Sequence, residues 1–309
     1  MMKNRKLIGA LALALAAALT LSGCGLNRSP KLDDATLDAI KNAVEEAVKD
    51  VKSAAEDVKN AAEGAAERVR TGERLDERRY EITDSIDSID LEWINGKVDV
   101  YAAEGDAVVL VERSDDGIYD NEALTWRIEE RELKIRWNSG KLLGAALQGG
   151  KELALYIPDA AWDELSLDTV SADLTVHDSF RCRELSLDTT SAKISAAGLS
   201  ADELDISSVS GAVEVSGTFR EIDAETVSGD VTIGLTAAPV KAELKAVSGG
   251  QTLIVPENCG FTLVFDSVSG KIDSALALTA QNGAYCFGDG AGRIGVETVS
   301  GDLTLRGSV

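Results

Sequence analysis

The sequence predicts an all-β protein, a β-solenoid of about seven to eight coils, preceded by a long N-terminal α-helix. Three observations carry this expectation. A tripeptide recurs seven times at near-constant spacing, apolar residues hold fixed offsets around it, and a heptad-patterned segment ends where the β pattern begins. Composition agrees. Gly is frequent at 28 and Pro rare at 4, while hydrophobic residues make up 44% and aromatics only 5%. Such a chain builds its core from Val, Leu, Ile and Ala, on short strands joined by tight turns.

The first element is a leader. Lys3, Arg5 and Lys6 precede an apolar run, Leu7–Leu21, that is short for a transmembrane span and suits a signal-peptide core. Leu21-Ser22-Gly23-Cys24 follows and resembles the lipobox of bacterial lipoproteins. The resemblance implies cleavage before Cys24 and diacylation of its sulfur, which supplies the two chains that stable anchoring needs. Residues 1–23 are thus read as signal peptide and 24–31 as a lipidated tether. The expected location is the extracytoplasmic face of the cell membrane. Gly25 is not the Asp that favours inner-membrane retention, which leaves an outer membrane open where the organism has two.

The second element spans 32–79, an α-helical stalk and its boundary. Leu37, Val44, Val51, Val58 and Ala65 recur at seven-residue steps, with no Pro between Leu32 and Val69. The apolar stripe is thin, so a solvated spacer, a coiled-coil stalk and an interfacial helix all remain open. The charged stretch Thr71–Arg79 marks the boundary.

From residue 80 the period becomes two. Ile89, Leu91 and Trp93, then Val98 and Val100, alternate with polar residues around Asn95-Gly96, a hairpin-type turn signal. Val108–Glu112, Leu124–Ile128 and Leu133–Trp137 read as further strands in an N-terminal β region, 80–162.

Residues 163–309 carry the repeat. Val170-Ser171-Ala172 opens a series continued at Ser191, Ser210, Ser228, Ser248, Ser269 and Ser300, in steps of 20, 19, 18, 20, 21 and 31 residues. The long last step places an insertion around Ala280–Gly292. Leu167, Leu187, Ile206, Ala224 and Leu244 stand three residues before each motif, and Leu174, Ile194, Val213, Val231 and Gln251 stand four after. Thr169, Thr189, Ser208 and Thr226 stand just before it, as a ladder of small residues in a tight corner. Each unit is two strands meeting at a corner, and neighbouring coils stack at about 4.8 Å. A β-sandwich of hairpins is the alternative fold.

The Ile89–Val100 opening and the Val-Ser-Gly-Asp series at 227 and 299 resemble the adhesin-like domain family of unknown function found in bacterial envelope proteins. The resemblance covers Ser85–Val309. It implies a right-handed β-helix on the cell surface, with an adhesive, sensory or envelope-stress role, and it brings no catalytic residues.

A net charge of −22 excludes nucleic acid as a partner and suits cations. No Gly-x-Ser-x-Gly elbow or phosphate loop occurs, and the motif serines have no His or Lys at a matching spacing. Asp168 and Asp188 would be outward neighbours in adjacent coils and form a candidate cation-binding pair; no metal or other cofactor is otherwise expected. His177 reads as a surface residue. Cys259 and Cys286 are a candidate disulfide, with Cys182 left free. The expected function is a membrane-anchored, non-enzymatic surface module, with the membrane, a cell-surface glycan, a cationic peptide or an envelope protein as partner. A β-helix enzyme acting on polysaccharide is the alternative, with Asp168 and Asp188 as its carboxylates, and a sensor of envelope damage is a third reading.

Overall fold

The computed structural model describes residues 72–138 and 150–308. The N-terminal strands are β1 (Arg74–Ile82), β2 (Ser88–Ala103), β3 (Val108–Tyr119), β4 (Thr125–Glu129), β5 (Glu132–Arg136) and β6 (Lys151–Pro158). The repeats supply β7 (Ala161–Val176), β8 (Arg181–Thr189), β9 (Ile194–Ser208), β10 (Val213–Thr226), β11 (Val231–Leu235), β12 (Lys241–Ala246) and β13 (Gln251–Pro256). The chain closes with β14 (Phe261–Ser267), β15 (Ile272–Ser274), β16 (Thr279–Gln281), β17 (Ala284–Phe287), β18 (Gly292–Thr298) and β19 (Leu303–Ser308).

Among the described residues there is no helix. This corrects the expected fold class, which joined a long α-helix to the β-solenoid: the described fold is built from strands alone. The segment Leu32–Val69, which carries the heptad pattern, lies outside the described residues, as do the leader and Cys24. The charged stretch before residue 80 holds β1, which pairs antiparallel with β3. An edge strand tolerates such charge because only one side of it is covered.

Parallel ladders fit the solenoid. Leu167 pairs with Leu187, Leu187 with Ile206, Ile206 with Ala224 and Ala224 with Leu244, so the column expected three residues before the motif is continuous. These residues are at most 3% exposed, which makes the column core. After the corner, Leu174, Ile194, Val213, Val231 and Gln251 form the facing column.

The motif serines bind coil to coil. Ser171 Oγ donates to Ile94 O at 2.9 Å, Ser191 to Val170 O at 3.2 Å, Ser210 to Thr190 O at 3.2 Å and Ser228 to Val209 O at 3.2 Å. The residue before the motif points inward and caps its own corner, as Ser208 Oγ to Gly211 O (2.6 Å) and Thr226 Oγ1 to Gly229 O (2.9 Å) show. The corner glycine is required for closeness and not for an unusual backbone angle. A Cβ on Gly229 would lie 2.1 Å from Gly211 O, and one on Gly249 would lie 2.0 Å from Gly229 O; neither glycine has a positive φ.

Two features differ from the sequence reading. Asn95-Gly96 does not end a strand: β2 runs through it, and the +107° φ of Gly96 turns a corner within the solenoid. The coils also do not stack in chain order. β2 stands between β5 and β7, and between β6 and β7 after its corner. At the other end β18 stands between β12 and β14, and β19 between β13 and β15. The coil of β18 and β19, last in the repeat pattern, therefore has a neighbour on each side, as β2 does. The insertion near Ala280 is the β16–β17 hairpin, turned by Asn282 (φ 51°) and Gly283 (φ 82°) in the two-residue manner that favours Asn-Gly.

One buried ion pair holds the N-terminal end together. Glu112 is fully buried, and Lys151 Nζ donates to Glu112 Oε1 (2.5 Å), Glu122 O (2.8 Å) and Asn138 O (2.7 Å) between the rings of Trp93 and Trp137. Burial pulls the Lys151 ammonium down from its ordinary range, against the opposing charge of Glu112. All three of its donors are used, which is the condition under which a buried charge is tolerable.

Candidate functional site

The ladder that precedes the corners turns alternate residues outward, and these are mostly acidic. Glu164, Glu184, Glu203 and Glu221 stand in register and lead to Lys241. A second column on the same side runs Asp90, Ser166, Ser186, Asp205, Asp223 and Glu243, with Ser166 and Ser186 buried beneath their neighbours. A third runs Glu92, Asp168, Asp188, Ser207, Glu225 and Lys245. Alternation within strands puts all three on one face, and the ladder spacing holds successive carboxylates about 4.8 Å apart at the backbone.

The crowding is visible in the carboxyls themselves. Asp205 is pushed up to about 6, first by burial and then by the charges of Asp223, Glu184, Glu203 and Asp188. Burial also raises Asp223, although Lys245 works against it. No lysine or arginine stands in the three columns across β7, β8, β9 and β10. Arg183 and Arg220 reach in from neighbouring positions, at 3.3 Å from Glu184 Oε2 and 3.4 Å from Glu221 Oε1, and both ends of the face supply further cations. Arg136 bonds Asp90 and reaches Glu92 Oε2 at 3.3 Å, and Lys245 Nζ reaches Glu225 Oε1 at 2.9 Å and Asp223 Oδ1 at 3.8 Å. The protein's own cations thus show how a positive group seats between carboxylates of adjacent rows.

Asp168 and Asp188 are brought together as sequence partners on neighbouring strands. Among the described residues, however, it is Asp90, Glu92 and Asp168 that bring three carboxylate oxygens within 4.8 Å of one another. An all-oxygen set suits a hard cation, but here the Arg136 guanidinium already supplies positive charge. Cys182, Cys259 and Cys286 are free thiols, and the ladder sets Cys286 opposite Thr262 and not opposite Cys259. Burial pushes Cys182 up to about 12, so it is an inert core residue. His177 is exposed as expected, but it is not solitary: its ring stacks on Tyr101 at 4.5 Å and its Nε2 meets Asp99 Oδ1 at 2.7 Å. The sequence reading found only the third acidic column. The other two were available at the same repeat offsets, four and six residues before each motif.

A solenoid of parallel coils with one strongly acidic face defines a class of repeat scaffold, and its described residues present no recognisable catalytic constellation. The chain belongs to the Toastrack DUF4097 family, whose model matches residues 84–306. Among solved structures, it is similar to a candidate adhesin from Bacteroides fragilis NCTC 9343 (12% identity, 76% of this chain and 98% of that one, TM-score 0.44). It is also similar to a candidate adhesin from Parabacteroides distasonis ATCC 8503 (13%, 77% and 98%, 0.44). A candidate lipid-binding protein from the same organism is likewise similar (13%, 78% and 98%, 0.40). No curated protein matches.

Proposed function

We propose that the chain is a non-enzymatic binding module, held on the extracytoplasmic face of the membrane by lipid on Cys24, whose acidic face takes a cationic peptide segment. The observation that carries this reading is the register of Glu184, Glu203, Asp205 and Glu221 in columns that hold no lysine or arginine across β7 to β10, with Arg183 and Arg220 reaching Glu184 and Glu221 from beside them. The leader and Leu21-Ser22-Gly23-Cys24 support the anchor. A rigid sheet holds its carboxylates in place before binding, so the entropy of arranging them is already met.

The test is retention of a fluorescent octalysine peptide by cells expressing the protein, followed by fractionation. Wild-type cells should retain peptide above vector controls, less so as salt rises. Glu184→Gln with Glu203→Gln should keep the protein in the membrane fraction and lose most of the peptide. Cys24→Ala should move the protein out of the membrane fraction. Unchanged retention in the double variant would sink the acidic-face reading, and a membrane-bound Cys24→Ala protein would sink the anchor.

A further inference from the structure

The outer surface of the ladder that follows the corners is chemically unlike the acidic one. One outward column begins with bulk: Tyr156 and Tyr101 stack at 5.2 Å with a 22° tilt, and Tyr101 and His177 stack at 4.5 Å with a 5° tilt. The column then becomes small. Val176 pairs with Ala196, so Ala197 falls beside His177, and Ser216 pairs with Gly234. Bulk returns at Ile254, the partner of Gly234. The floor at Ser216 and Gly234 opens into a cavity of about 590 Å³, also lined by Leu235, Pro256, Glu257 and Asn258. The column of residues two before this one adds hydroxyls at Thr175, Ser195, Thr232 and Thr252, with the carboxylate of Glu214 between Ser195 and Thr232.

We propose that this trough binds a neutral glycan chain laid across the strands. The lining matches a sugar on both of its chemical sides. Ile254 and Pro256 offer apolar contact for ring C–H groups, while the Ser216 hydroxyl, the Asn258 amide and the Glu257 carboxylate can exchange hydrogen bonds with sugar hydroxyls. The exposed imidazole of His177 adds a planar ring at the far end, its other face already packed on Tyr101. No lysine or arginine lines the cavity, and Glu257 does, so acidic sugars are disfavoured. His177 to Gly234 spans three ladder steps, roughly 14 Å, which is room for a short run of sugar units rather than one. The site shares no residue with the acidic face, so each reading can fail without the other.

The test is calorimetric titration of the full-length chain in detergent with hexasaccharides of N-acetylglucosamine, mannose and glucose, and with hexagalacturonate as the acidic comparator. At least one neutral hexasaccharide should bind saturably, and hexagalacturonate should bind about tenfold more weakly. Gly234→Val fills the floor; its Cβ would meet only the Ser216 side chain closely, at 3.1 Å. It should weaken binding about tenfold, and His177→Ala should weaken it several-fold. Glu184→Gln with Glu203→Gln should leave it unchanged. Thermal melts report whether each variant is folded, and Ser216→Leu decides if Gly234→Val is not. The proposal is overturned if no neutral hexasaccharide binds, if hexagalacturonate binds as tightly, or if a folded trough variant binds like wild type.

Discussion

Gln251 shows how a single residue can depart from a repeat without breaking it. Its position was legible, four residues after the motif, in a column otherwise filled by Leu174, Ile194, Val213 and Val231. The structure keeps it inward at 2% exposure, paired in the ladder with Val231 and Leu303, and neither its amide oxygen nor its nitrogen has a partner. The same coil has Ala246 where most coils have a Thr or Ser before the motif. A buried amide without hydrogen bonds carries its full desolvation cost, about 1–3 kcal/mol. Gln251→Leu should therefore stabilise the domain by roughly that amount, moving the thermal midpoint up by about 2–4 °C per kcal/mol. A lower midpoint in the variant would show that the amide is satisfied in solution. The corner glycines teach a related lesson. Their recurrence was plain in the sequence, but the reason, a carbonyl of the preceding coil about one atom away, needed two coils in contact to be seen.

The sheet faces are properties of elements, and the sequence disclosed them unevenly. Alternation told inward from outward at almost every repeat position, because a one-residue slip would turn each apolar column to solvent. It did not tell which outward columns matter, since Arg136 and Lys151 lie outside the repeat and meet their partners only after folding. The charge on the acidic face has a measurable consequence through Asp205. Its folded-state carboxyl sits near 6, above the ordinary value of 3.8. The folded protein thus holds this proton more tightly than the unfolded chain does. From pH 4 to pH 6 the unfolded state binds fewer protons here, and stability falls as pH rises. Above pH 6 the ionised, crowded carboxylate is a standing cost. Asp205→Asn should stabilise the domain at pH 7.5 by about 1 kcal/mol, after allowing for solvent screening at a half-buried site. At pH 4 the substitution should change little. Denaturant melts at the two pH values check this, and an equal effect at both would remove the electrostatic explanation.

At the scale of the whole molecule the sequence was silent on coil order, for a physical reason. Every coil carries the same apolar columns and the same corner, so the register that seats Val299 and Ser300 against the coil of Val247 and Ser248 would equally have seated Val268 and Ser269 there. Repetition specifies that coils stack and leaves their neighbours degenerate. The structure resolves the degeneracy by placing β18 and β19 between β12–β13 and β14–β15, and β2 between β5–β6 and β7. In a solenoid that stacks in chain order, the coils nearest the sequence ends fray first, because each has one neighbour. Here the coil nearest the C-terminus has two. Among the described strands, those with a single partner are instead β1 on β3, β4 on β5, β15 on β19 and β16 on β17. Hydrogen exchange read by mass spectrometry should find residues 292–308 and 88–103 about as protected as the central β9 and β10. Residues 125–129 and 272–281 should exchange at least about tenfold faster, since their opening leaves the remaining ladders intact. Exchange of β18–β19 ahead of β15 would mean that the last coil lies at the end of the stack, and the inserted topology would be wrong.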